Sequence, residues 1–190
     1  VYAAAKEASL LDWMQSQIAD GEQVTLTNVS EDRGVIMLAG PKAREILAQA
    51  TDADLSNDGF RWLSTQHISV AGVEDVRAMR VTYTGELGWE LHIPMAGMLA
   101  VYEALVTAGE PLGMVHVGSA LLNAVRMEKA YKSGHEITNE VTLTEAGLER
   151  FTRKEGGFQG AEISTAPAEK WVVALLQLEE FDGVDADPLG

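Results

Sequence analysis

Tyr83, Glu86 and Glu90 stand around two glycines, Gly85 and Gly88, in the stretch VTYTGELGWELHIP that occupies residues 81–94. A phenol and two carboxylates beside residues free to take unusual backbone angles fit either a loop that approaches a ligand or an ordinary turn. The run that follows alternates: in WELHI, Trp89, Leu91 and Ile93 share one face of an expected strand, while Glu90 and His92 point to the other. The face of Trp89 is the expected core. Tyr83 ends the preceding strand-like run, so Tyr83 and Glu90 are expected to flank the turn on one surface. A half-buried strand whose Glu90 and His92 simply face water has the same pattern.

A second constellation lies in NAVRMEKAY. Leu121, Leu122 and Val125 define the apolar stripe of an expected helix, and Arg126 stands on its border. A cation there can snorkel outward or pair with a carboxylate at a domain junction. Glu128 and Lys129 read as a solvated face. The remaining chemistry is thin: there is no G-x-G-x-x-G, no P-loop and no H-E-x-x-H, and His67, His92, His116 and His135 are scattered. The motifs therefore support no dinucleotide, nucleotide triphosphate or metal site.

Composition narrows the partners. With 14 Lys plus Arg against 29 Asp plus Glu, the formal charge of −15 opposes binding to phosphate backbones or anionic lipid. Nucleic acid and membrane are thus not expected partners. The absence of cysteine removes disulfides and a thiol nucleophile and fits a reducing compartment, the cytoplasm or a mitochondrial matrix. No apolar run reaches the roughly 18 residues of a membrane span. The chain opens on Val1 and closes on FDGVDADPLG, so both ends are expected to continue into something longer.

The elements that must position these residues follow from periodicity. Leu10, Trp13, Met14 and Ile18 predict a helix over 2–19; QVTLTNV and RGVIMLAG predict strands; PKAREILAQA predicts a helix entered at Pro41. Strand-like runs occupy HISVAG and EDVRAMRVTY, and the opening motif turns the chain into WELHI. Pro94 opens a helix with Met98, Val101, Tyr102 and Leu105 in phase, closed by Gly109. Ser119 is an expected N-cap for ALLNAVRMEKAY, and Thr142 with Glu145 forms a capping pattern. Helices and strands interleave without a βαβ period, so the expected class is α+β, an antiparallel sheet with packed helices. Near Ala168 the composition shifts to EKWVVALLQLEEF, one strand of a possible second domain.

Taken together, AGPKAREIL, VTYTGELGWELHIP, VRMEKAY and EITNEVTLTEAGLERF resemble the folate-binding aminomethyltransferase family, the glycine cleavage T-protein and its relatives. The likeness is strongest to the aminomethyltransferase-like C-terminal half of dimethylglycine and sarcosine dehydrogenases. The resemblance implies a T-protein-like folate-binding fold, with residues 1–160 as part of the folate-binding domain and 161–190 as the start of a C-terminal β-barrel domain.

It also implies a tetrahydrofolate cofactor. Glu90 matches the family glutamate whose carboxylate accepts the paired N–H donors of the pterin edge, and Tyr83 matches a family tyrosine that packs on the flat cofactor. Arg126 is placed by the resemblance against the folate channel or the carboxylate tail, and Glu86 belongs to the turn. Relatives often carry an arginine shortly before LN in this helix, where GSALLN here has Ala120. The family's catalytic aspartate is expected upstream of Val1, and FAD only in an N-terminal half outside this chain. The implied activity is one-carbon transfer to tetrahydrofolate from an iminium that the flavin half makes from an N-methyl amine such as dimethylglycine or sarcosine, in glycine or betaine catabolism. The chain by itself is expected to be catalytically silent. Two alternatives remain: a free-standing T-protein-like or sulfonium demethylase-like folate enzyme, and a non-catalytic folate-binding module.

Overall fold

Four runs of alternating apolar residues become one antiparallel sheet: β1 (Arg33–Ala39), β2 (Thr65–Val70), β3 (Val73–Met79) and β4 (Gly88–Pro94), in the order β1-β4-β3-β2. The computed structural model describes residues 6–118, 122, 124, 138 and 140–148. Because residues opposite one another in an antiparallel pair share a face, the register sorts the side chains into two sets. Leu38, Trp89, Leu91, Ile93, Ala78, Val76, Ile68 and Val70 are buried in one cluster with Ala43, Ile46 and Leu47 of α2 (Ala43–Leu47) and Val101 and Leu105 of α3 (Met98–Gly109). Leu55 and Phe60, from the long connection between α2 and β2, complete that core. Val35, Met37, Glu90, His92, Met79, Arg77 and His67 form the opposite face.

The α+β class expected from the sequence is what the chain adopts. Strands β2 and β3 are joined by Ala71 and Gly72, both at positive φ (51° and 75°), the two-residue turn whose twist matches a hairpin. The register then slips between Ile68 and Val70, and Asp75 takes φ 57°, which marks a bulge. Thr142 and Glu145 form the reciprocal pair their spacing predicts: the Glu145 amide donates to Thr142 Oγ1 at 3.1 Å and the Thr142 amide to Glu145 Oε2 at 2.8 Å.

Several boundaries differ from expectation. QVTLTNV forms no strand; Val24 is 52% exposed, and no described strand pairs with the segment, whose Val29 carbonyl is taken up only by a turn bond from the Asp32 amide. Alternation makes a strand only where another chain segment takes up its hydrogen bonds. The first helix, α1 (Glu7–Ser16), is shorter than 2–19 among the described residues and buries none of its side chains. Helix α2 begins after Lys42 rather than at Pro41, and it ends at Leu47 because Gln49 and Ala50 bond three residues back, to Ile46 and Leu47. Tyr102 in α3 is 43% exposed while Val101, Leu105 and Gly109 are buried, so the apolar stripe is narrower than the phase of that helix predicts. The Ser119 cap, the EKWVVALLQLEEF strand and the expected barrel start at 161–190 lie outside the described residues.

Candidate functional site

Glu90 sits at the centre of the sheet. Strand β4 lies between β1 and β3, and Glu90 is opposite Met37 on one side and Met79 on the other. Its side chain is 27% exposed, a carboxylate open to solvent between two half-buried thioethers. Two positions on, His92 lies on the same face between Val35 and Arg77. Its Nε2 is 3.6 Å from Glu90 Oε2 and has no hydrogen-bond partner among the described residues.

The simple inside-outside reading of this strand fails at His92, whose residue exposure is 6% against 0% for Trp89, Leu91 and Ile93. Alternation in β4 separates polar from apolar chemistry, but a strand flanked on both sides by others shields much of its polar face too. The expected core position of Trp89 holds: Phe60 meets it edge-on with ring centroids 6.0 Å apart, and the Arg80 guanidinium lies 5.8 Å from its ring centroid.

Tyr83 is displaced from its expected place at a strand end. Val81 bonds back to the Met79 carbonyl at 2.8 Å and ends β3, so Met79 rather than Tyr83 stands opposite Glu90. Tyr83 belongs to the connection 80–87, is 40% exposed, and makes no hydrogen bond to Glu90. That connection is closed by Thr82, whose hydroxyl donates to the Glu86 carbonyl at 2.7 Å, and by Gly85 at φ 82°. Glu86 thus serves the turn through its backbone. Gly88 does more than turn the chain: a Cβ there would meet the Leu38 carbonyl oxygen and the Ala39 Cα of β1, so the strand start demands a residue without one. Arg126, with Glu128 and Lys129, lies outside the described residues.

Two cation-centred clusters had no sequence signal. Arg80 donates to the Phe60 carbonyl and, at 2.7 Å, to Asn57 Oδ1, which also accepts from Arg44 at 2.8 Å. Burial first, and the charge of Arg44 second, lower the Arg80 guanidinium from its ordinary value. These contacts tie the loop before β2 to the end of β3, a tertiary role that periodicity does not encode. On the opposite face, Arg33 of β1 donates to the backbone carbonyls of His92 and Asp75 and pairs with the Asp75 carboxylate, while His67 Nδ1 lies 2.5 Å from Asp75 Oδ1.

Arg33, and after it His67, hold the Asp75 carboxyl below the ordinary aspartate range. A carboxyl lowered on folding stabilises the fold above its unfolded value and loses that contribution as pH falls through the folded one. Because the group is exposed, its effect on stability is small. The expected result of an NMR titration is an Asp75 side chain that titrates below free aspartate and moves back up in Arg33→Gln. An unchanged titration in that variant would show that the pairing is too mobile to matter.

Comparison with known proteins places this arrangement. The GCVT N-terminal domain matches residues 1–156. The human protein named dimethylglycine dehydrogenase, mitochondrial, is 34% identical over 194 aligned residues, which cover 100% of this chain and 22% of that protein. Human sarcosine dehydrogenase, mitochondrial, is 41% identical over 127 residues, covering 66% of this chain and 14% of that protein. The aminomethyltransferase of Koribacter versatilis (strain Ellin345) is 35% identical over 171 residues, covering 87% of this chain and 44% of that protein. The chain spans less than half the length of each of these relatives. With its match running through the sheet, both packed helices and the 80–87 connection, the chain belongs to the GCVT N-terminal domain family.

Proposed function

We propose that this chain is the tetrahydrofolate-binding part of an enzyme that moves a one-carbon unit, within a protein of the dimethylglycine or sarcosine dehydrogenase kind. The observation that carries the reading is Glu90, a partly exposed carboxylate fixed on an interior strand of a GCVT-family domain. Met37 and Met79 flank it with deformable apolar walls suited to a flat ring, and the exposed phenol of Tyr83 lies in the neighbouring connection. These residues fit a planar heterocycle that offers N–H donors at one edge. When bound, tetrahydrofolate supplies the nitrogen that accepts the one-carbon unit. Glu90 accepts from its ring edge, the Met37 and Met79 side chains exclude water beside that contact, and Tyr83 packs and hydrogen-bonds nearby.

Arg126 is assigned, in the same reading, to the folate channel or the cofactor's acidic tail. Residues 1–160 are taken as part of the folate-binding domain, with 161–190 opening a second, β-barrel domain. The N-methyl amine donor, the flavin half that oxidises it and a mitochondrial-matrix or cytoplasmic setting belong to the complete protein, in keeping with the names of the relatives.

The test is calorimetric titration of the complete protein with tetrahydrofolate. Glu90→Gln is expected to weaken binding by about 1–3 kcal/mol, the range for buried donors left imperfectly paired, and Glu86→Gln to leave it unchanged. Equal affinity in Glu90→Gln and the parent would remove Glu90 from the site.

A further inference from the structure

Resting on the folate reading of Glu90, we propose that His92 is a positioning residue for that carboxylate, its Nε2 proton holding one Glu90 oxygen so that the rest of the group faces the ligand already oriented. The two side chains project from one face of β4, where both positions have a neighbouring strand on either side. Only 8% of the His92 side chain is exposed, and its Nε2 is buried without a hydrogen-bond partner. A buried ring nitrogen left in that state is costly, so an acceptor within reach has a strong claim on it.

Among the described residues the surroundings leave one such acceptor. Across the sheet His92 faces Val35, which is apolar, and Arg77, a cation whose Nε points to His67 Nε2 at 3.5 Å. Glu90 faces Met37 and Met79. Arg33 and Asp75 engage the sheet farther along, Arg33 through the His92 carbonyl and not its ring. Among the described residues Glu90 is the only carboxylate that forms an ion-pair contact with His92, and the 3.6 Å separation is slightly longer than a hydrogen bond. Site hydrogen bonds commonly tighten from such distances when the ligand arrives. A carboxylate has about four lone-pair positions, so one taken by His92 leaves enough for two donors on a pterin-like edge.

A bond from His92 to Glu90 requires the neutral Nε2–H tautomer or the imidazolium, because the Nδ1–H tautomer has no proton at Nε2 to give. It also separates positioning from mere packing. His92→Gln keeps an N–H donor near the Nε2 position; His92→Leu fills the space without one.

The experiment is titration of the complete protein with tetrahydrofolate in four variants, with thermal unfolding as the folding control. His92→Leu is expected to raise the Kd about tenfold, the loss of one hydrogen bond to a charged group, and His92→Gln to stay within about threefold of the parent. In a Glu90→Gln background, His92→Leu should add almost nothing, because the two act as a unit. An equal loss from His92→Leu in both backgrounds, or none in the parent while Glu90→Gln weakens binding, would overturn the positioning role and leave the folate site standing. Failure of the parent to bind tetrahydrofolate, or an unaltered Glu90→Gln, would overturn both. Should His92→Leu not fold, the nitrogen-15 resonance of His92 Nε2 decides: a protonated signal that shifts on tetrahydrofolate addition in the parent and not in Glu90→Gln is the expected result, and an unprotonated or unmoved one refutes it.

Discussion

The Gly88→Ala variant is expected to lose about 3 kcal/mol of folding stability, the upper end of the usual cost of forcing atoms into a packed position. An added Cβ at residue 88 would meet the Leu38 carbonyl oxygen, the Thr82 methyl and the Ala39 Cα. Two of those three atoms are backbone in the paired strand β1, where Ala39 lies directly opposite Gly88, and they cannot swing aside as a side-chain end can. Relief requires β1 and β4 to separate at the end that also anchors the 80–87 connection through the Gly40 amide and the Leu87 carbonyl, 2.8 Å apart. Gly118→Ala is the control, since no described residue comes within 4 Å of a Cβ at that position. Urea unfolding should show a lower midpoint for Gly88→Ala at an unchanged slope and no change for Gly118→Ala. A midpoint for Gly88→Ala equal to the parent would mean that the two strands part at little cost.

Trp89→Ala is expected to cost about 3–5 kcal/mol, the range for truncating a large aromatic in a packed core. Its side chain is fully buried, wedged edge-on against Phe60 and under the Arg80 guanidinium. Removal would open a cavity beneath a partly buried guanidinium that then loses its aromatic partner, so the change removes more than apolar area. Denaturation followed by circular dichroism provides the measure. A nearly unchanged midpoint accompanied by lost tetrahydrofolate binding would reverse the assignment and make Trp89 a ligand platform.

Much of β4 is legible in the residues because its alternation is sharp and its turn residues are explicit. Ala43, Ile46 and Leu47 likewise announce the buried side of α2, and Thr142 with Glu145 announces a capping pair, since both patterns are local. What escapes a linear reading depends on distant segments. QVTLTNV alternates well enough, yet a strand is a pairing and no described strand lies alongside that segment. The end of β3 is set by Ser64 and Leu63, whose carbonyl and amide engage Arg80, so Tyr83 falls into a loop that its own neighbours in sequence do not specify. His92 reads as solvent-facing because two-residue periodicity reports polarity and is blind to how many strands flank a position. Arg80 carries no motif at all, its role arising from Phe60, Asn57 and Trp89 brought together by folding.

Positions 90, 91 and 92 are the part of β4 that stands opposite both Met37 to Val35 on one side and Met79 to Arg77 on the other. The backbone beneath Glu90 and His92 is therefore immobilised when the sheet forms, long before any ligand is met. A binding group mounted on a surface loop must surrender chain entropy at the moment of capture, which slows association and weakens affinity; one mounted here has surrendered it during folding. Encounter at that face then requires ordering only of the side chains on β4, while Tyr83 is carried by the neighbouring connection 80–87. The candidate site thus divides between a strand and a connection that adjoin in sequence, so under the role proposed for Glu90 variation at 80–87 can alter ligand choice without disturbing the strand that carries its carboxylate.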